Sequence, residues 1–493
     1  MKKKECYKIH MNRKSVIESL DNFINKSEYK MNVVGDTIEF SKQSERLLVE
    51  IAEKEMEDRT FSAVEGVIVG VLIQLKKCSN LEVFESLLSK INFMSRSYSD
   101  DEIQAIIRDM PILSWYSQKN SIDLSNVAII WRDHFLEENI GLLMAFCNMG
   151  IKPNNILALD KGDFTKHHME ITATFDKLGF NVDVFDNEYI DNEEYLKNVK
   201  DRIERFISER KNQQIIVLDD GAIVTKFLEH HQYTNWVAAI ELTEMGLRRM
   251  KHSDLQIPVF NIAKTKLKRL ITYPEIANSI FIRIIELLGG EKSVGRTMLL
   301  CGYGDMGEIL AERFRGHGVQ VCVYDNDVFR LIIAAERGYK TYRNPVIAVE
   351  KEKPFLVVGA SGERSITSDM IEKLGSNTYV TAGATADLNV MKEYKQDKKV
   401  LIAEKKKYGT QFWVNDKKIT MFGNGRSINL FDSEAIPNMS NDIFKAEVLI
   451  TVCKIIENKD VIRDLKGVNL ELVEEWINDS GLYDYYYSKY YEC

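Results

Sequence analysis

At 493 residues the chain exceeds what one hydrophobic core usually organises, so two or three domains are expected. A composition of 45% hydrophobic and 28% charged residues excludes disordered, collagen-like and disulfide-scaffold classes, and a net charge of -8 excludes the basic face of a nucleic-acid binder. No apolar run is long enough to cross a bilayer, the opening residues lack a secretory signal, and the seven cysteines lack metal or disulfide spacing. These features predict a cytoplasmic protein with reduced thiols, no bound metal, no membrane association and a small-molecule partner.

From Ser15 to Arg96 apolar residues fall at helical spacing, as at Leu47, Leu48, Ile51 and Ala52, and then at Val67, Ile68, Val71 and Leu72. This predicts an N-terminal helical extension over residues 1–100, with Val64 to Leu75 as a buried helix. A substrate-type α/β domain is expected over 101–280. Its strands are read at Val127 to Trp131, Ile156 to Leu159, Val182 to Phe185, Ile215 to Leu218 and Trp236 to Ile240. Helices from Leu136 to Met149 and from Lys166 to Leu178 alternate with them. A second α/β domain is expected over 281–425, with strands at Thr297 to Leu300, Val319 to Tyr324, Phe355 to Val358, Tyr379 to Thr381 and Lys399 to Ile402. Residues 426–493 are expected to be helices returning to the first α/β domain. The predicted fold class is therefore α/β, with two doubly wound Rossmann-like domains, parallel sheets and the helical extension.

The strand ending at Leu300 runs into the glycine motif Gly302, Gly304 and Gly307, with Asp305 and Met306 inside it, and a helix follows. Such a turn suits a dinucleotide. Gly302 permits the bend, Gly304 lets backbone approach a pyrophosphate, and Gly307 lets the helix pack on the strand. Asp325 ends the next strand about 20 residues on, where a carboxylate accepts hydrogen bonds from ribose hydroxyls and repels a 2′-phosphate, so the cofactor expected is NAD.

Around this motif the sequence resembles the S-adenosylhomocysteine hydrolase family. The likeness runs through Gly302 to Gly307, Arg315 to Gly318, Asp325 to Asp327 and Glu336 to Tyr339, then through Gly425 to Leu430 and Pro437 to Asn441. Fainter matches precede it, at Asp109 to Leu113, His134 to Glu138, Leu218 to Gly221 and Pro258 to Asn261. The resemblance implies a homo-oligomer that uses NAD to oxidise a substrate hydroxyl. It assigns catalytic roles to Asp220, Lys268 and His134, substrate contacts to Glu138 and Glu241, and cofactor contacts to Thr243, Ser361 and Asn429 beside the glycine loop. Several family side chains are replaced: a glycine-histidine pair by Gly383-Ala384, which keeps the glycine and loses the histidine, an aspartate-asparagine pair by Thr272 and Tyr273, a cysteine by Ala277 and a second histidine by Ile436.

Read without the family, Asp219 and Asp220 at a strand's carboxyl end fit a ligand site or a helix cap. Lys268 lies in a basic run that fits a solvated face as well as a site, and His134 fits a structural role as well as a chemical one. Three functions compete. One is an NAD-dependent enzyme on a nucleoside-like or other hydroxylated substrate, in which efficient S-adenosylhomocysteine hydrolysis is not expected. Another is a non-catalytic NAD sensor that binds a protein partner through residues 1–100. The last is a 2-hydroxy-acid dehydrogenase, which needs a histidine-carboxylate pair with an arginine in its cleft, and for which Glu229, His230 and His231 offer only part.

Overall fold

In the computed structural model the described residues are 4–9, 17, 30–35, 37–43, 45–54, 69–78, 97–162, 165–187, 190–230, 234–383, 401–406 and 408–492. They divide into two compact units, Met1–Glu102 with His167–Phe180, and Ile103–Lys166 with Asn181–Cys493.

The first unit contains strands β1 (Lys4–Ile9), β2 (Lys30–Val34), β3 (Thr37–Lys42), β4 (Glu45–Lys54) and β5 (Val69–Cys78), antiparallel and ordered β1-β5-β4-β3-β2. This corrects the expectation of a helical extension, and the segment expected as a helix over 64–75 is a strand from Val69, its residues 64–68 lying outside those described. Leu47, Leu48, Ile51 and Ala52 do match a helical face. The same stretch also alternates Leu47, Val49 and Ile51 with Leu48, Glu50 and Ala52, and short windows do not separate the two periods. What favours the strand is β-branched content and pairing, with Ile51 opposite Ile73. In β3, buried Ile38 and Phe40 alternate with more exposed Thr37, Glu39 and Ser41, the mark of a sheet with one covered face.

The second unit holds two wound sheets. The first contains β6 (Val127–Asp133), β7 (Ile156–Asp160), β8 (Asn181–Val184), β9 (Gln214–Asp219), β10 (Val237–Glu241) and β11 (Pro258–Asn261), all parallel and ordered β8-β7-β6-β9-β10-β11. Every residue of β6 is buried, as a central parallel strand covered on both faces requires. The second contains β12 (Thr297–Cys301), β13 (Gln320–Tyr324), β14 (Lys340–Tyr342), β15 (Leu356–Gly359), β16 (Thr378–Ala382), β17 (Leu401–Lys406), β18 (Gly409–Val414) and β19 (Lys417–Phe422), ordered β14-β13-β12-β15-β16-β19-β18-β17. Six of these follow Rossmann order, β19 running parallel to β16. The hairpin β18-β19 extends the sheet beyond the sequence expectation, and its antiparallel neighbour β17 overlaps the strand expected at Lys399 to Ile402. Asn415 and Asp416, with φ of 47° and 61°, form the two-residue turn that closes it.

The chain then returns to the first sheet, where β20 (Gly467–Asn469) pairs with β11. Between them the helix Asn438–Glu457 is buried along most of its length. From it the Asp442 carboxylate accepts hydrogen bonds from the amides of Ile112 (2.7 Å) and Leu113 (2.8 Å), capping the helix Pro111–Lys119. Among the described residues no helix is long and apolar enough to cross a membrane.

Candidate cofactor and active site

In each wound sheet the strand order reverses between two neighbours, β6 and β9 in the first and β12 and β15 in the second, and open α/β sheets bind ligands at the carboxyl ends of such strands. One cavity of about 570 Å³ draws its lining from both places.

On the second sheet, Gly302 leaves β12 with φ 107°, and a Cβ there would lie 2.6 Å from the Ser361 amide; a Cβ at Gly307 would lie 2.1 Å from the Gly302 carbonyl oxygen. Both positions require glycine for backbone packing. Gly304 differs, because a Cβ there meets nothing within 4 Å. The open space lies at the start of the helix Asp305–Gly316, where backbone N–H groups and the helix dipole favour a phosphate. Asp325 at the end of β13 accepts hydrogen bonds from the amides of Tyr303 (2.6 Å) and Asp327 (2.8 Å), which fix its carboxylate at the cavity edge. A glycine cradle, a helix N-terminus and a fixed acid suit NAD. Asn429 accepts from the Ser427 hydroxyl (2.7 Å), whose proton is shared with the Gly383 carbonyl (2.6 Å). The Asp305 carboxylate is engaged by Arg269 at 2.7 Å.

On the first sheet, Asp133 and His134 follow β6, Lys161 follows β7 and Asp220 follows β9. The Lys161 ammonium donates to Asp220 Oδ1 at 2.7 Å and lies 3.3 Å from His134 Nε2, which is 3.5 Å from Asp220 Oδ2. Burial alone would raise the Asp220 carboxyl, but the Lys161 ammonium, and then His134, hold it down at about 2. Asp133, His134 and Asp220 bring ligand atoms within 4.8 Å of one another, a spacing that suits a metal ion. Here the lysine ammonium sits against two of the three. Arg132, fully buried, donates to the Asp220 carbonyl (2.7 Å) and to Asn187 Oδ1 (2.6 Å), anchoring the turn that carries Asp220. That turn is strained, since Ala222 takes a left-handed conformation with φ 55°.

Deeper in, Glu138 accepts from Asn441 Nδ2 (2.8 Å) and lies 4.0 Å from the Lys445 ammonium. Burial raises its carboxyl above the ordinary value. Lys445 donates to Asn139 Oδ1 (2.6 Å) and lies 3.5 Å from Asp133. Burial, and then the nearby Lys445 ammonium, lower Lys268 to about 8.

The cavity lining therefore includes His134, Glu138, Asp220, Thr243, Lys268, Gly302, Gly304, Asp305, Met306, Asp325, Ser361 and Asn429. Glu241 and Gly307 lie behind the wall. Glu241 is fully buried opposite Asp219, and its Oε1 accepts from the Gly221 amide (3.1 Å), the Thr243 amide (2.8 Å) and the Thr243 hydroxyl (2.6 Å). It ties two site turns together from behind the cavity lining. Of the dehydrogenase pair, His230 is 71% exposed and away from the cavity, and His231 is outside the described residues. Among the replaced family positions, Tyr273 and Ile436 line the cavity, Thr272 and Ala277 are buried, and Ala384 is outside the described residues. Sequence reasoning missed Asp133, Lys161, Asn441 and Lys445. The signal available for Lys161 was its place just after β7, beside the reversal in strand order.

Fold and cavity define a protein that binds a dinucleotide between two wound α/β domains. Residues 289–435 match the family model for the S-adenosyl-L-homocysteine hydrolase NAD-binding domain. An S-inosyl-L-homocysteine hydrolase of Methanocaldococcus jannaschii is 24% identical over 306 residues, 59% of this chain and 69% of that protein. An adenosylhomocysteinase of Archaeoglobus fulgidus is 26% identical over 260 residues, 49% and 61% of the two chains. An uncharacterized protein of Mycobacterium tuberculosis is 25% identical over 276 residues, 54% of this chain and 51% of that one, so the chain spans about half the length of that relative. Among solved structures, a dipicolinate synthase chain from Bacillus halodurans matches with TM-score 0.39 and 13% identity, over 68% of this chain and 99% of that one. The chain is a divergent relative of the adenosylhomocysteinases, and its cofactor is NAD.

Proposed function

We propose that this protein is an NAD-dependent enzyme that acts at a hydroxyl-bearing carbon of a nucleoside-like or other hydroxylated small molecule. The observation that carries the reading is the His134–Asp220–Lys161 group, which shares one cavity with the glycine cradle. Bound NAD supplies a hydride acceptor. The chain must then take the hydroxyl proton. Asp220 stays a carboxylate with Lys161 as counter-ion, leaving the imidazole, the side-chain type that changes charge near neutrality, to hold or pass that proton. Asn429, oriented by Ser427, and Thr243 line the same cavity and position the reactants.

Relatives are named for hydrolysis of S-adenosyl- or S-inosyl-L-homocysteine, which makes those thioethers and their nucleosides the first probes. With Thr272, Ala277 and Ile436 where the family carries polar side chains, redox chemistry is expected to survive better than hydrolysis.

The test is a spectrum of the NAD-loaded protein before and after each probe. Absorbance of reduced nicotinamide near 340 nm is expected, with His134→Gln and Asp220→Asn cutting its rate by about 10²- to 10⁴-fold at unchanged NAD content. Tight NAD binding without reduction by any probe, and equal spectra for the variants, would overturn the enzyme reading in favour of an NAD sensor.

A further inference from the structure

Lys268 opens the single π-helical turn Lys268–Thr272, which leads into the helix Tyr273–Leu288. The residue is only 8% exposed and contributes to the cavity wall. Its ammonium lies 3.4 Å from the ring centre of Phe444 and 5.8 Å from that of Tyr273. Among the described residues no carboxylate oxygen comes within 4.0 Å of it. The other two lysines of the cavity are satisfied, Lys161 by Asp220 at 2.7 Å and Lys445 by Asn139 at 2.6 Å. Lys445 also lies 5.8 Å from the Phe444 ring centre, so a second positive charge approaches the same ring. One turn beyond Lys268 the side chain is the neutral Thr272.

An aromatic face attracts a cation but does not replace the hydrogen bonds of a lost hydration shell. A nearly buried ammonium with no hydrogen-bond acceptor among the described residues, facing a second ammonium and met only at longer range by the Glu447, Asp133 and Asp220 carboxyl groups, is a costly arrangement, and such costs persist where a ligand relieves them. We propose that the ligand provides the anion in direct contact that the chain itself does not: the substrate of this cavity is an anionic hydroxylated compound whose carboxylate or phosphate docks on Lys268. The inference rests on the reading of the cavity as a substrate site. It gives Lys268 a binding role, leaving proton transfer to the His134–Asp220–Lys161 group. Burial and Lys445 lower the ammonium to about 8, with Glu447, Asp133 and Asp220 opposing the shift, so the charged form predominates at neutral pH and an anion has a cation to meet.

The test is calorimetric binding to the NAD-loaded full chain of three matched comparisons: adenosine against adenosine 5′-carboxylate, adenosine against adenosine 5′-monophosphate, and propane-1,2-diol against lactate. In the wild type at least one anion is expected to bind about tenfold or more tighter than its neutral partner. In Lys268→Met the preference falls below about twofold, while Lys268→Arg retains part of it. Thermal melting gives a second readout, since removing an unpaired buried charge leaves Lys268→Met as stable as the wild type or more so. Which anion wins separates a carboxylate from a phosphate. A preference for no anion in any comparison, or one that survives in Lys268→Met, overturns the proposal. Lys268-dependent anion binding without reduced nicotinamide would leave the proposal standing and remove the enzyme reading. Equal reduction by a neutral compound in wild type and Lys268→Met would do the reverse.

Discussion

The side chains around Asp220 show how one cation fixes the chemistry of a whole group. Lys161 is 5% exposed and Asp220 12%, so little water screens their 2.7 Å contact. Removing one member of a buried pair leaves the other uncompensated, and Lys161→Met is expected to cost about 3–5 kcal/mol. The pH dependence follows from the depressed carboxyl. Its folded value of about 2 lies below an unfolded value of about 3.9, so the stabilisation is present above roughly pH 4 and is lost as pH falls toward 2. The gap between wild type and Lys161→Met in urea unfolding should therefore be full from pH 5 upward and narrow below pH 4. A gap that is constant across that range would show that Lys161 acts by packing alone. Asp220 and His134 were legible because their types and places match a known pattern at a strand's carboxyl end. Lys161 was not, because its partner lies 59 positions away and only the parallel pairing of β6 with β7 and β9 brings the two together.

At the scale of elements, the glycine loop separates two uses of the same residue type. Gly307 is needed by the fold, since its missing side chain admits the Gly302 carbonyl, whereas Gly304 faces open space. Gly304→Ala is thus expected to fold with a melting temperature near that of the cofactor-free wild type and yet to lose NAD, the added methyl occupying the approach to the pyrophosphate. Gly307→Ala should lose both stability and NAD, by more than about 1–3 kcal/mol because the clash is with backbone. Cofactor released on denaturation, together with melting curves, checks the pair, and equal NAD content in Gly304→Ala and wild type would refute the assignment. This strand-turn-helix could be read in the sequence because all its determinants are local. The five strands of the first unit could not, since a strand is defined by the register it shares with its neighbours, as β4 with β5, and a spacing rule sees only one strand at a time. The hairpin β18-β19 does carry a local sign, Asn415-Asp416 between β-rich runs.

Across the whole molecule, the cavity works only if two wound domains present their reversal points to one another, and polar pairs at the rim are among the contacts between them. Arg269 meets Asp305 at 2.7 Å, while Arg248, from the helix after β10, donates to the Gly362 carbonyl at 3.2 Å and lies 3.5 Å from Glu363, beyond β15. None of this was visible in the sequence, where the partners stand 36 and more than 100 positions apart and read as ordinary surface charges. Arg248 and Arg269 are 41% and 51% exposed, so each pair is worth only about 0.2–1 kcal/mol and is weakened by salt. A clasp of that strength cannot decide whether the domains fold, but it can set how often the rim opens. Arg248→Ala combined with Arg269→Ala is therefore expected to leave the melting temperature of the cofactor-free protein nearly unchanged and to speed NAD release by roughly three- to tenfold. Raising the salt from 0.05 to 0.5 M should speed release from the wild type by a similar factor and from the double variant hardly at all, since the charges that salt would screen are gone. Measured NAD exchange rates decide it: an equal salt response in both proteins would place the barrier to release in the apolar contacts behind the rim, among them the packing of Phe281 on Phe314, and not in the two arginines.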